Sequence, residues 1–376
     1  MLTLLLAVAA LVAYWMLRPN RAEIDPRLEL ETWTAVGDGL HNSNTDLIFW
    51  RDQFYLVHAA SPYHMGSAKC RLVLRRSRDA RQWQTVREFN VPGQDIRDPK
   101  FAAIGNLLIL YAFPNAGFQA LPYRTVYSVS GDGDTWAPFA DIEQPGWLLW
   151  RPKSRDGVTW YVPAYWHQHG KSALFSSTDG IAWTMVSMIN EGEANDETDF
   201  EFLADGRILS TARLEVKADS PFGHIEASTL LAVAEPPYTQ WSHQKSRVTR
   251  LDGPALFAHA GRVFAVARHQ PGARGPLTRL GSMLSRKRTS LYVVEPDRLI
   301  HLSDLPSAGD TSYAGVVLRD GSLWTSYYTS DIGRDYPWVI GMLLKSEIRM
   351  ARVGLDSLVR LADAKAPPGS RGGSWR

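Results

Sequence analysis

Ser77-Arg-Asp79-Ala-Arg-Gln-Trp83, Ser130-Gly-Asp132-Gly-Asp-Thr-Trp136 and Ser177-Thr-Asp179-Gly-Ile-Ala-Trp183 share one pattern, Ser-x-Asp-x-x-x-Trp. Each follows a strand-like run, at residues 72–75, 125–127 and 173–175. The Ser and Asp side chains of such a segment can satisfy the backbone N–H groups of their own turn, and the Trp can plug the space beneath it. The three aspartates lie 53 and then 47 residues apart. A period near fifty, with several short strands in each unit, is the mark of a propeller blade.

Working outward, six units follow one grammar: a polar cluster, an apolar strand, a Gly or Asp turn and a second strand. The clusters open near residues 44, 97, 151, 197, 252 and 310, so the spacing predicts an all-β, six-bladed propeller. A strand candidate at residues 32–36 is placed to complete the last blade and close the ring, which removes a free sheet edge. Residues 1–17 are almost wholly apolar and end at Arg18-Pro-Asn-Arg21, so they are expected to be an N-terminal transmembrane anchor. A cleaved signal peptide is the alternative. The expected organisation is anchor 1–17, lead 18–40, propeller 41–360 and a disordered tail 361–376. Residues 272–288 form a basic insertion in the fifth unit.

Composition narrows the function. A net charge of +2 with 21% charged residues lacks the basic excess of a nucleic-acid binder. One cysteine, Cys70, excludes an intramolecular disulfide. No metal or cofactor site is expected. Fourteen Trp and fourteen Tyr suit both blade packing and stacking against sugars.

In a propeller the starts of the innermost strands surround one end of the central channel. Collected there are Asn44, Asp46, Arg97, Asp98, Lys100, Arg151, Glu197, Asp199, Asp252, Asp310 and Tyr313, with Arg213 and Arg268 closing the second strands of units four and five. Singly, each reads as a solvated turn residue. Their recurrence in six units predicts a pocket of arginines and carboxylates.

Over residues 44–354 the chain resembles the sialidase superfamily. The Ser-x-Asp-x-x-x-Trp turns match that superfamily's Asp boxes. Asp196-Glu197-Thr198, then Phe202-Leu-Ala-Asp205-Gly206-Arg-Ile-Leu and Arg213, is similar to its segment with a catalytic Glu, a Leu-x-Asp-Gly turn and a following arginine. Arg268 and Tyr313 then match the next substrate arginine and the nucleophilic tyrosine. The resemblance implies a metal-independent, retaining glycosidase acting on a glycan with a terminal acidic sugar. Tyr313 would be the nucleophile, Glu197 its base, and Arg213 and Arg268 the carboxylate ligands. It also places the propeller outside the cytoplasm, on its membrane anchor, although Arg18 and Arg21 by the positive-inside rule point the other way.

Two family elements are absent. The first inner strand reads His41-Asn-Ser-Asn-Thr-Asp46-Leu, without the first arginine of the family's triad, and residues 59–69 offer Ser61, Tyr63, His64 and Lys69 but no acid. Arg97 or Arg151 is available to restore positive charge, and Asp46, Asp98 or His64 to act as acid. Asn44 and Asp310 complete the expected substrate contacts. A carbohydrate-binding propeller without catalysis, and a glycosidase using a carboxylate pair, are the competing expectations.

Overall fold

In a computed structural model, residues 1–116, 123–272 and 275–366 are described. Their strands form six antiparallel sheets, each one blade of a propeller. The innermost strands are His41–Trp50, Asp95–Ile104, Trp147–Leu149 with Lys153–Ser154, Asn195–Phe202, Asp252–His259 and Thr311–Arg319. Each pairs with the next strand in sequence across a tight turn, and the blade then runs outward strand by strand. The inner strands are buried on both sides and read as near-continuous runs. Outer strands such as Gln84–Phe89 and Trp241–Ser246 are exposed or half-buried up to their last residue, because they lie at the rim of the blade against water.

Strand Leu30–Val36 pairs antiparallel with Glu347–Gly354 and so supplies the fourth strand of the last blade. The ring is closed by an element from the N-terminal side. Gly315 marks how tightly blades one and six meet, since a Cβ there would lie 2.1 Å from the Leu47 nitrogen. Apolar clusters fill the spaces between neighbouring blades; one of them unites Trp50, Phe89, Phe101, Leu110 and Trp136.

The three turns are built as the side chains dictate. Asp179 Oδ1 accepts the N–H groups of Ile181 (2.8 Å) and Ala182 (2.9 Å), and Trp183 Nε1 donates to the Gly180 carbonyl (2.9 Å). Asp132 and Trp136 repeat this. In the first turn Ala80 takes glycine's place at φ +56°, and its carbonyl accepts from Trp33 of the closing strand instead. A fourth copy, Ser154-Arg-Asp156-Gly-Val-Thr-Trp160, makes the same serine and aspartate bonds, without the tryptophan one, in the hairpin between the inner and second strands of blade three. It lies off the fifty-residue period and was missed for that reason.

Two expectations need correction. The N-terminal helix α1 (Leu2–Leu17) has 16 residues and rises about 24 Å, short of the ~30 Å hydrocarbon core. No helix among the described residues is long and apolar enough to cross a membrane, so neither a transmembrane anchor nor membrane partnership through α1 is supported. The chain just beyond α1 lies against the propeller, where Arg18 Nε donates to Asp335 (2.8 Å) and Asn20 to the carbonyls of Ser307 and Ile332. At the other end, α2 (Trp338–Leu343) packs beside the channel mouth. The amphipathic α3 (Leu355–Lys365) buries Leu358, Leu361 and Ala362 and carries order past residue 361. Residues 367–376 of the expected tail lie outside the described residues.

Candidate active site

One local device places the functional side chains. Four of the inner strands break register by one extra residue near their start, at 98–99, 196–197, 253–254 and 313–314, and blade one does so at Asn44. In blade three the inner strand is interrupted outright at residues 150–152. A bulge leaves residues unpaired and re-aims them. Here the unpaired residues meet around the axis. Asn44, Asp98, Gly253 and Tyr313 have positive φ (46°, 51°, 59° and 49°), a conformation that costs energy for the non-glycine residues and is typical of functional sites.

The centre is Tyr313. Its hydroxyl donates to Glu197 Oε1. Glu197 Oε2 accepts from Arg213 Nη1 (3.0 Å) and from the Gly253 backbone N–H (2.7 Å). Both side chains are nearly covered, with Tyr313 8% and Glu197 6% exposed. Burial drives the Glu197 pKa up to about 7, aided by the Asp196 and Asp252 carboxylates and opposed by Arg213 and the Tyr313 hydroxyl. Burial and then Glu197 raise Tyr313 well above its ordinary value, so the phenol keeps its proton and points it at the carboxylate. Gly253 is the floor: a Cβ there would lie 2.8 Å from the Tyr313 ring.

The arginines are anchored by carboxylates. Arg213 forks onto Asp196, with Nε at 2.7 Å, and its third nitrogen is the one on Glu197. Asp196 in turn meets His169 (3.2 Å). Burial would lower His169, but Asp196 and Glu215 outweigh it and raise its pKa. Arg268 is 1% exposed and donates to the Thr311 carbonyl (2.8 Å), Asp310 (3.2 Å) and the Tyr328 hydroxyl (2.8 Å). Arg97 forks onto Asp95 and donates to the His64 carbonyl (2.6 Å). Arg151 bonds Asp46 and the Ala314 carbonyl. Arg250, not singled out by sequence, forks onto Asp252 (2.8 and 3.1 Å). Thus each expected substrate arginine is already held in an ion pair.

Asp98 reaches Asn44 Nδ2 across the first two blades and is 8% exposed at the mouth. Asp46 instead accepts the Phe101 N–H (2.7 Å) as well as Arg151, tying three blades together. Asp310 is a fully buried hub that accepts from Trp338 Nε1 (2.7 Å) and Tyr328 (2.9 Å) and contacts His41 (3.1 Å) and His64 (2.7 Å). Burial alone would raise it; His64, His41 and Arg268 hold it well below the usual carboxylate range. Among the described residues two clusters have the residue types of a metal centre, His41–His64–Asp310 and His169–Asp196–Glu215. In each, an arginine already neutralises the aspartate.

Sequence reasoning missed Gly253, Asp196 and His41 as parts of this constellation. Asp196 was legible only as a neighbour of Glu197, and Gly253 only as a turn residue.

Comparison with solved structures fixes the architecture. A Trypanosoma rangeli sialidase in complex with sialic acid superposes with a TM-score of 0.63 at 11% identity, over 92% of this chain and 61% of that one. The phage phi92 endosialidase does so at 0.59 and 10% identity, over 87% of this chain and 69% of that one. The chain has the six-bladed sialidase fold. It spans about three-fifths of the length of the trypanosomal protein, and at such identities the likeness concerns fold alone. No family model and no curated protein matches the sequence.

Proposed function

We propose that the protein is a retaining glycoside hydrolase with Tyr313 as nucleophile and Glu197 as its base. The observation that carries this reading is the hydrogen bond from Tyr313 to Glu197, with the carboxylate oriented from behind by Arg213 and the Gly253 N–H. A phenol is a weak nucleophile at neutral pH; a carboxylate in contact can take its proton as the C–O bond forms. In the first step Tyr313 Oη bonds the anomeric carbon, the phenolic proton passes to Glu197, and the bond to the aglycone oxygen breaks. Asp98, on the neighbouring blade opening and 8% exposed, is the candidate acid that protonates the departing oxygen. Water then reverses the sequence, giving its proton to Asp98 and releasing the sugar as Glu197 reprotonates Tyr313.

The burial of Glu197 serves this chemistry, because a base with a pKa near the working pH balances ionised fraction against proton affinity. The sialidase fold of the structural neighbours supports a glycan substrate. The test is a panel of chromogenic glycosides, acidic and neutral, assayed on wild type and Tyr313→Phe. We expect hydrolysis of at least one member, lost by about 10³-fold or more in the variant. Equal rates in the two proteins would remove Tyr313 from the mechanism. Binding of glycans without hydrolysis by wild type would favour a recognition module.

A further inference from the structure

The basic insertion of blade five supplies no residue of the Tyr313–Glu197 centre. Residues 272–288 contain five Arg or Lys and no Asp or Glu. Gly272, Pro276, Arg279 and Leu280 of this segment form one wall of a groove of about 900 Å³ at the junction of blades four and five, faced by His224, Ile225, Arg247, Val248 and Gln270. Among the described residues no carboxylate lines it, the nearest one to its Arg247 being Glu226.

The walls are fixed to each other. His224 N donates to the Leu280 carbonyl (3.1 Å) and Met283 N to that of Pro221 (2.9 Å). Gly223, at φ +70°, permits this approach, since a Cβ there would fall 2.1 Å from the Leu280 oxygen. The floor is joined to the catalytic centre. Gln270 Oε1 accepts from the Gly281 N–H (2.6 Å) and Lys287 (2.8 Å), while its Nε2 donates to Asp252 (3.2 Å). Asp252 directly precedes Gly253, whose N–H holds Glu197. The groove therefore opens at the same end of the propeller as Tyr313.

Its charges differ from those of the axial site. Around the axis Arg97, Arg151, Arg213, Arg250 and Arg268 are each paired with a carboxylate. In the groove Arg247, 69% exposed in its side chain, makes only a loose ion pair with exposed Glu226 at 4.0 Å, and among the described residues Arg279 forms no ion pair. Exposed Ile225 and Val248 beside them offer apolar surface for a sugar face.

We infer that this groove is a second carbohydrate subsite, taking an anionic residue of the glycan, a uronate or sulfated sugar linked to the one cleaved at Tyr313. The inference rests on the glycosidase reading for its orientation, and binding tests it separately. The probes are an oligogalacturonate and a sulfated heparin-derived hexasaccharide, titrated calorimetrically into the full chain carrying Tyr313→Phe. We expect one of them to bind, with affinity falling as salt rises. Adding Arg247→Ala and Arg279→Ala should weaken that binding by about tenfold or more, the loss expected from two charge-assisted contacts, and flatten the salt dependence. Removing two charges elsewhere, with Lys171→Ala and Arg319→Ala, should leave it in place. No binding of either probe, or equal weakening by both pairs, would overturn the inference. Failure of the glycosidase reading alone would show as binding that persists while no glycoside is hydrolysed.

Discussion

Gly253 shows how much one residue governs in this site. It has to be glycine twice over: its φ of +59° is unfavourable for other residues, and the Tyr313 ring occupies the space a Cβ would fill. Gly253→Ala is therefore expected to push the ring off Glu197 and cut kcat by about 10²-fold, the penalty of roughly 1 Å of misplacement, with KM little changed; unaltered steady-state kinetics would refute this. Glu197 gives the pH behaviour. As a base it must be ionised, so kcat/KM should climb through about pH 7, and Glu197→Gln should abolish that limb with most of the rate. The stability linkage has the opposite sense. A carboxyl with a raised folded pKa favours folding while protonated, and this contribution is lost as pH rises through about 7. Denaturant midpoints of wild type should accordingly fall more steeply than those of Glu197→Gln between pH 5 and about 7.

Among the elements, hairpin turns and inner-strand bulges were unequally legible. The turns declare themselves because Ser, Asp, Gly and Trp each perform a local task, and local tasks leave a local spelling. Even so, the fourth copy at Ser154–Trp160 sits in a different hairpin, so the motif marks a kind of turn and its period is set by the blades. In the turn at Ser177–Trp183, Asp179→Ala removes an acceptor of two N–H groups and should cost about 1 kcal/mol. Trp183→Ala empties a buried plug and should cost about 3–5 kcal/mol; equal denaturant midpoints for the two variants would contradict this division. The bulges left no spelling. Residues as unlike as Asp98-Pro99, Glu197, Gly253-Pro254 and Tyr313 fill them, because the shared property is a backbone offset and the side chains answer to the pocket. The sequence thus located the site residues at blade openings, but the pairing of its arginines with Asp95, Asp46, Asp196 and Asp310 came only from three-dimensional proximity.

For the whole molecule, closure and the proposed catalysis meet in the last blade, which carries Tyr313 on its inner strand and is completed by strand Leu30–Val36. Deleting residues 1–17 should leave a single cooperative melting transition, whereas deleting 1–36 opens a sheet edge and should lower or abolish it; identical thermograms would show that the ring closes by other means. Closure also explains why a resemblance confined to scattered residues foretold the architecture: six blades fix where each strand begins, and little else in the sequence needs to be retained. The proposed chemistry depends on much less of the chain, namely on Tyr313, Glu197 and the groups that orient them. The most direct test is to incubate the protein with an activated 2-deoxy-2-fluoro glycosyl fluoride of whichever sugar it turns over and to map the adduct by peptide mass spectrometry. The account predicts one sugar per chain, attached to Tyr313 and absent from Tyr313→Phe. A sugar found on Glu197, Asp98 or another carboxylate would contradict it.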